Sequence, residues 1–265
     1  MKKLFSIVII ILFSQFQVLN AIAGSDGEVE ISSKKNNNQK VVKDCFESVN
    51  RGIFALNQGL YKVIFKPLAK GYRKLPQPIR SGTSNVINNL GNVVTIPNNV
   101  LQGQMKDASM NSLRLIINST LGIAGIFDVA SYYGLEKRDK EDYGQTLGAW
   151  GVGEGCYFIL PVLGPTTVRD SIGSLANVVG GDAWYNVTVA NDTQYFNEAD
   201  YYLTQLISGV DFRAKNLESF DSLENTSIDL YASIRSLYLQ DRQRKIMNLD
   251  EATETMSDDD WDEID

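Results

Sequence analysis

Apolar side chains recur at helical spacing in several segments of the chain. In FESVNRGIFALNQGLYKVIFKP (46–67), Phe46, Val49, Ile53, Leu56, Leu60 and Ile64 fall three or four residues apart, and Phe54, Tyr61 and Phe65 form a second apolar line. This spacing predicts a helix that Asp44 caps and Pro67 ends. A helix apolar over more than half its circumference belongs in a core or a membrane. Glu47, Arg51, Asn57 and Gln58 nevertheless forbid a simple transmembrane span.

In LPQPIRSGTSNVINNLGNVVTIP (75–97), Pro78 suits a first helical position, and Ile79, Thr83, Val86, Leu90 and Val93 trace one face. Six asparagines between positions 85 and 99 make the rest of that helix unusually polar. A third helix is predicted after Pro97, with Leu101, Met105, Ala108, Leu115 and Ser119 in register. A last one covers SIDLYASIRSLYLQDRQRKI (227–246), with Leu230, Ile234, Leu237 and Ile246 apolar. Arg235 lies near its middle, and Arg242, Arg244 and Lys245 enrich its second half, where the helix dipole favours cations. Sustained alternation is absent, so the fold reads as mostly α.

Between Gly122 and Gly164 there are nine glycines, a texture suited to turns and close packing rather than regular structure. Gly151, Gly153 and Gly155 lack the spacing and the leading strand of a dinucleotide site. In YFILPVLGPTTVRDSIG (157–173), Pro161 interrupts an apolar run, and Thr167 is an N-cap type with Asp170 three positions on. Val168, Ile172, Leu175, Ala176 and Val179 then form a helical stripe. The run before it reads as an apolar connector, either an ordinary core loop or the lining of a cavity.

The ends differ from the middle. Lys2 and Lys3 precede LFSIVIIILF, and Ala21-Ile22-Ala23 supplies a small-x-small pattern, so residues 1–23 read as a secretory signal peptide. Removing 23 of the 265 residues leaves 242, and losing two lysines moves the net charge from −7 to −9. Residues 24–43 are polar and aperiodic, a disordered leader; residues 44–247 form the helical domain. Residues 248–265 form a disordered acidic tail, with nine acids and no base from Asp250 onward.

An acidic balance argues against nucleic acid as a partner. The chain has no histidine, which removes Ser-His-Asp and Cys-His catalysis and histidine metal sites. Neither a cofactor nor an enzyme is expected. Asp128, Asp142 and Asp170 remain as carboxylates for a phospholipase, but nothing in the sequence pairs them, and Asp170 beside Arg169 reads as a helix cap. Cys45 and Cys156 occupy a compartment where disulfides persist; a bridge and a merely buried Cys156 both stay open.

Several of these segments, in this order, resemble the MlaA (VacJ) family of Gram-negative outer-membrane phospholipid-transport proteins. They are FESVNRGIFALNQGLYKVIFKPLAKGYRKLPQPIRSGTSNVINNL, NVLQGQ, RLIINSTLGIAGIFDVA, DYGQTLGAWGVGEGCYFILPVLGPTTVRDSIG, DFRAKNLESFDSL and DLYASIRSLYLQDR, together spanning about residues 44–245. The resemblance implies a ring-shaped, membrane-embedded helical domain with Gly-rich connectors around a central amphipathic channel. Through it, mislocalised outer-leaflet phospholipid would descend to a soluble periplasmic carrier, with a trimeric porin as companion and lipid asymmetry as the result. The alternative is a porin-associated scaffold that conducts no lipid.

By position, Gly122, Gly125 and Phe127 match the family's hinge-like loop, and Pro161 and Leu163 would help shape the channel region. Phe54, Tyr61 and Phe65 are the expected membrane-facing side chains. Relatives are acylated on a cysteine after the signal peptide, whereas Ile22-Ala23-Gly24-Ser25 carries serine there, so no lipid anchor is expected at the periplasmic face of the outer membrane.

Overall fold

The computed structural model describes residues 42–191 and 193–248. The signal peptide, Ser25, most of the leader and all but the first residue of the acidic tail lie outside the described residues. The fold is helical with one small hairpin. Helix α1 (Glu47–Leu60) passes through a π-helical turn, Tyr61–Phe65, into α2 (Lys66–Tyr72). Helices α3 (Gln77–Leu101) and α4 (Met105–Thr120) lie antiparallel: Asn111 donates to Asn99 at 3.0 Å at one end, and Asn89 to Ser119 at 2.9 Å at the other.

Two short helices come next, α5 (Val129–Tyr132) and α6 (Tyr143–Ala149), N-capped by the side chains of Asp128 and Asp142. Strands β1 (Tyr157–Leu160) and β2 (Gly164–Thr167) pair antiparallel, with Tyr157 opposite Thr167 and Leu160 opposite Gly164. Helix α7 (Val168–Ala176) starts at the Thr167 cap, as expected. Beyond it come α8 (Ala183–Tyr185), α9 (Glu198–Lys215), α10 (Leu217–Thr226) and α11 (Leu230–Ile246).

Prolines account for two corrections. Pro67 does not end the first helix: the wider π turn before it admits the ring, and Pro67 sits in the first turn of α2, where its missing N–H costs little. Pro97 lies inside α3, which continues to Leu101 rather than starting a new helix. There the fully buried Asn98 and Asn99 hold the turn, with Asn98 donating to the Val94 carbonyl at 2.8 Å.

The cap expected at the first helix is also absent. Asp44 does not cap α1; its carboxylate accepts from Asn50 at 2.7 Å and from the Tyr231 hydroxyl. The Val42 carbonyl accepts from Arg235, and the Lys43 carbonyl accepts the Tyr157 N–H at 2.9 Å. Cys45 and Cys156 form a disulfide, so the domain's entry is stitched to the approach to β1. A small apolar core of Tyr157, Ile159 and Tyr231 sits at this junction, with Ile53, Phe54 and Leu239 against it.

Candidate functional site

The polarity of the fold is inverted. Among the described residues, nine hydrophobic side chains are buried against twenty polar or charged ones. Helix α3 shows why. Its buried positions are Gly82, Ser84, Asn89, Asn92, Thr95, Asn98 and Asn99, while Ile79 is exposed and Val86, Leu90 and Val93 are only half-buried. Ser84, Asn92, Thr95 and Asn99 recur at helical spacing, so the polar row is itself the inward stripe. Burial of so many amides is tolerable because they bond one another: Thr146 donates to Asn98 at 2.6 Å, and Gln102 reaches both Thr146 at 3.1 Å and Glu141 at 2.8 Å.

Apolar surface faces outward in compensation. Leu113 and Ile116 on α4, Leu121 and Ile123 beyond it, and Ile172, Leu175 and Val179 after β2 are all exposed. Among the described residues no helix is long and apolar enough to cross a membrane. Nor do three or more of the side chains suited to a metal converge anywhere among them.

The loop after α4 holds three of the expected hinge residues. Gly125 has φ +91°, and a Cβ there would lie 2.8 Å from Asn89. A Cβ on Gly122 would meet the Phe127 carbonyl at 2.2 Å, and the Phe127 N–H donates back to Gly122 at 2.9 Å. Ile123 and Ala124 also take left-handed conformations. The loop is thus a tightly bonded knot seated on α3, where Asn85 donates to the Ile126 carbonyl at 3.1 Å. Ile126 and Phe127 point outward.

Behind this loop lies a polar cleft of about 160 Å³ between α3, α4 and residues 137–140. Arg114 on α4 pairs with Asp128 at 2.8 Å and donates to the Leu135 carbonyl. Burial would raise Asp128, but bonds from Ser131 and Asn118 and the nearby Arg114 bring it well below the ordinary carboxylate range. Lys140 is solvent-accessible as a residue, yet its ammonium is seated in the cleft, donating to the Asn88 carbonyl at 2.7 Å and to Asn92 Oδ1. Burial, then the cations Arg114 and Lys137, lower Lys140 to about 8.

The 157–164 segment proves to be a hairpin rather than an irregular connector. Pro161 falls in its turn, after β1 has ended, so the strand loses no ladder bond. Leu163 at the tip is 79% exposed, and Pro161 is exposed beside it. Two asparagines on α1, seven residues apart, bind the free edge of β1. Asn50 donates to the Tyr157 carbonyl at 3.3 Å and accepts the Ile159 N–H at 3.0 Å. Asn57 does the same for Leu160 at 2.9 Å and Val162 at 2.7 Å.

This inward face of α1 corrects the expected membrane-facing set. Tyr61 is 6% exposed, its ring 5.0 Å from the Arg213 guanidinium and 6.3 Å from Phe220. Phe54 is half-buried and packs edge-on to Tyr231 at 5.6 Å, and Phe65 is half-buried too. The outward side chains of this stretch are Val49, Leu56, Val63, Ile64 and Leu68.

The carboxylates are paired after all, but by arginine. Arg242 bonds Asp142 at 2.6 and 3.0 Å and Asp170 at 2.8 and 3.1 Å. Tyr238 adds a bond to Asp170 at 2.6 Å. Burial opposes ionisation of both acids, yet Arg242 holds Asp170 below its usual range and Asp142 down to about 2. Carboxylates so committed are poor proton carriers at neutral pH; this cluster fastens α6, α7 and α11 together. Asp170 therefore does not cap α7, a role Thr167 fills.

The model of the MlaA lipoprotein family matches residues 42–245. The "Intermembrane phospholipid transport system lipoprotein MlaA" of Haemophilus influenzae is 32% identical over 87% of this chain and 92% of its own length. That of Escherichia coli K12 is 33% identical over 74% of this chain and 76% of its own length, and an uncharacterized Rickettsia bellii protein is 33% identical over 81% of each. A solved structure described as "Structural basis for maintenance of bacterial outer membrane lipid asymmetry" superimposes with a TM-score of 0.65 at 30% identity, covering 77% of this chain and 99% of that one. The chain belongs to the MlaA lipoprotein family.

Proposed function

We propose that the chain carries mislocalised phospholipid out of the outer leaflet of the outer membrane towards a soluble periplasmic carrier, maintaining lipid asymmetry. The observation that carries this reading is the inverted polarity: amides inside, aliphatic and aromatic side chains outside. An amphiphile needs such a wall, because its headgroup must stay among polar groups while the protein itself is solvated by acyl chains. The names of the relatives point the same way. Passage of this kind is geometric and needs no nucleophile.

The finer parts of the reading are a ring around an amphipathic channel, seating in one leaflet beside a trimeric porin, and attachment without acylation because Ser25 replaces the lipobox cysteine. Each outward apolar side chain buried in lipid contributes about 1.5–3 kcal/mol, so a handful outweighs one acyl chain.

The test is outer-leaflet phospholipid in a strain lacking the gene, with and without the native chain restored. Asymmetry indifferent to the chain would refute the transport reading. Mass spectrometry of the mature N-terminus tests cleavage and acylation together.

A further inference from the structure

We propose that the cleft at Lys140 binds the phosphate ester of a glycerophospholipid headgroup, with Lys140 as its principal cation. The inference rests on the transport reading and gives it a specific contact.

Charge balance singles out this lysine. Of the other cations lining the cleft, Arg114 and Lys137 pair with Asp128 at 2.8 and 3.1 Å, and Arg138 lies 3.3 Å from Asp107. Lys140 has only neutral acceptors, the Asn88 carbonyl and Asn92 Oδ1, and no carboxylate partner among the described residues. Two of its three N–H groups are thereby used, and one remains to be directed at a ligand. A phosphodiester supplies the missing negative charge and acceptor oxygens, and the carboxamides of Asn85, Asn88 and Asn92 offer neutral donors around it.

The surroundings select an amphiphile over a free anion. The cleft's volume of about 160 Å³ is that of several waters, enough for a phosphate and part of a glycerol. The loop at Ile126 and Phe127, bonded through the Ile126 carbonyl to the lining residue Asn85, leaves both side chains exposed and makes an apolar lip beside the cleft. A lipid could leave its phosphate on Lys140 and run its chains over that apolar lip. The lowered pKa of Lys140 agrees: burial and the neighbouring cations Arg114 and Lys137 disfavour its charge, and a bound phosphate would raise it again.

The test measures pulse acetylation of Lys140 against exposed lysines such as Lys70 and Lys74, by mass spectrometry of the full chain in phosphate-free maltoside micelles at pH 8. Three probes are compared: phosphatidylglycerol, glycerol 3-phosphate and inorganic phosphate. The expectation is that phosphatidylglycerol slows Lys140 at least fivefold and glycerol 3-phosphate less. K140Q should weaken lipid binding by roughly tenfold or more, the loss of one charged hydrogen bond, while K140R stays within about threefold.

Protection by inorganic phosphate but not by lipid would overturn the lipid assignment, and protection by none would overturn the site. Binding equal in K140Q and the native chain would also overturn it. A native chain protected by lipid at Lys140 yet unable to restore asymmetry would refute the transport reading and leave the binding site standing.

Discussion

Arg242 on α11 grips Asp142, one hundred residues earlier in the chain, through two bonds at 2.6 and 3.0 Å. The same guanidinium holds Asp170, whose side chain is almost fully buried. R242M leaves Asp170 in a poor dielectric without its main counter-charge. We expect a loss of about 3–5 kcal/mol, read from chemical denaturation in detergent. The pair also sets a pH dependence. The acids' folded pKa values are depressed, Asp142 to about 2 from an ordinary 3.8, so the unfolded chain binds protons first on acidification. Their contribution is present above the ordinary carboxylate range and lost on acidification, for Asp142 as pH falls towards 2; Asp142 remains partly open to water, so its share is small. In R242M the slope between pH 4 and 2 should flatten.

Glu141 is displaced the other way. Burial raises it to about 7, although a bond from Gln102 works against the shift. A raised acid binds more protons folded than unfolded, so stability falls as pH climbs from about 4.5 to 7. E141Q imitates the protonated state. It should stabilise the fold at pH 8 by on the order of 1–3 kcal/mol and remove that decline, visible as a melting temperature level across neutral pH.

The amides of Asn50 and Asn57 serve β1 as a neighbouring strand would. N50L orphans the Tyr157 carbonyl and the Ile159 N–H together in a buried place, at about 1–3 kcal/mol for each group. N57A acts nearer the tip and should cost less. Its effect should show as faster hydrogen exchange at Val162 with most of the global stability kept.

The disulfide closes a loop between residues 111 apart in sequence. Replacing both Cys45 and Cys156 with serine should lower stability by about 4–5 kcal/mol, on the chain-entropy account. Reductant should bring the native chain to the same denaturant midpoint while leaving the double variant unchanged.

Outward apolar residues should govern membrane binding. Changing Ile116, Leu121 and Ile123 to serine together should reduce vesicle partitioning by several kcal/mol, at about 1.5–3 for each side chain. F54A should act on folding instead, because Phe54 packs on Tyr231. Equal losses of partitioning from the triple variant and from F54A would count against the assignment of faces.

The helical periods of α1, α3 and α11 and the Thr167 cap could be read directly, because local spacing and capping chemistry are written within a few residues. The direction each helix faces could not. A periodic stripe does not specify which solvent it meets, and in α3 the apolar stripe faces out and the amide stripe in. The signal was present: Asn50 and Asn57, like Asn85, Asn92 and Asn99, are spaced by seven, the mark of a single face. Arg242 looked like a dipole-seeking terminal cation because its partners lie far away in sequence. Lys140 carries no local signal for the same reason, since the cations and asparagines around it come from two helices and a loop. Tyr61 and Phe65 looked alike on a helical wheel, but the π turn that admits Pro67 also rotates the residues beyond it.

An interior of amides wrapped in oily surface has a calorimetric consequence. Heat capacity rises on unfolding when greasy groups meet water, and falls when hydrogen-bonding groups do. Here the second contribution is unusually large, and under the membrane seating proposed above much of the first never arises. The stability curve against temperature should therefore be flatter than for a water-soluble domain of this length, leaving the molecule comparatively indifferent to cold.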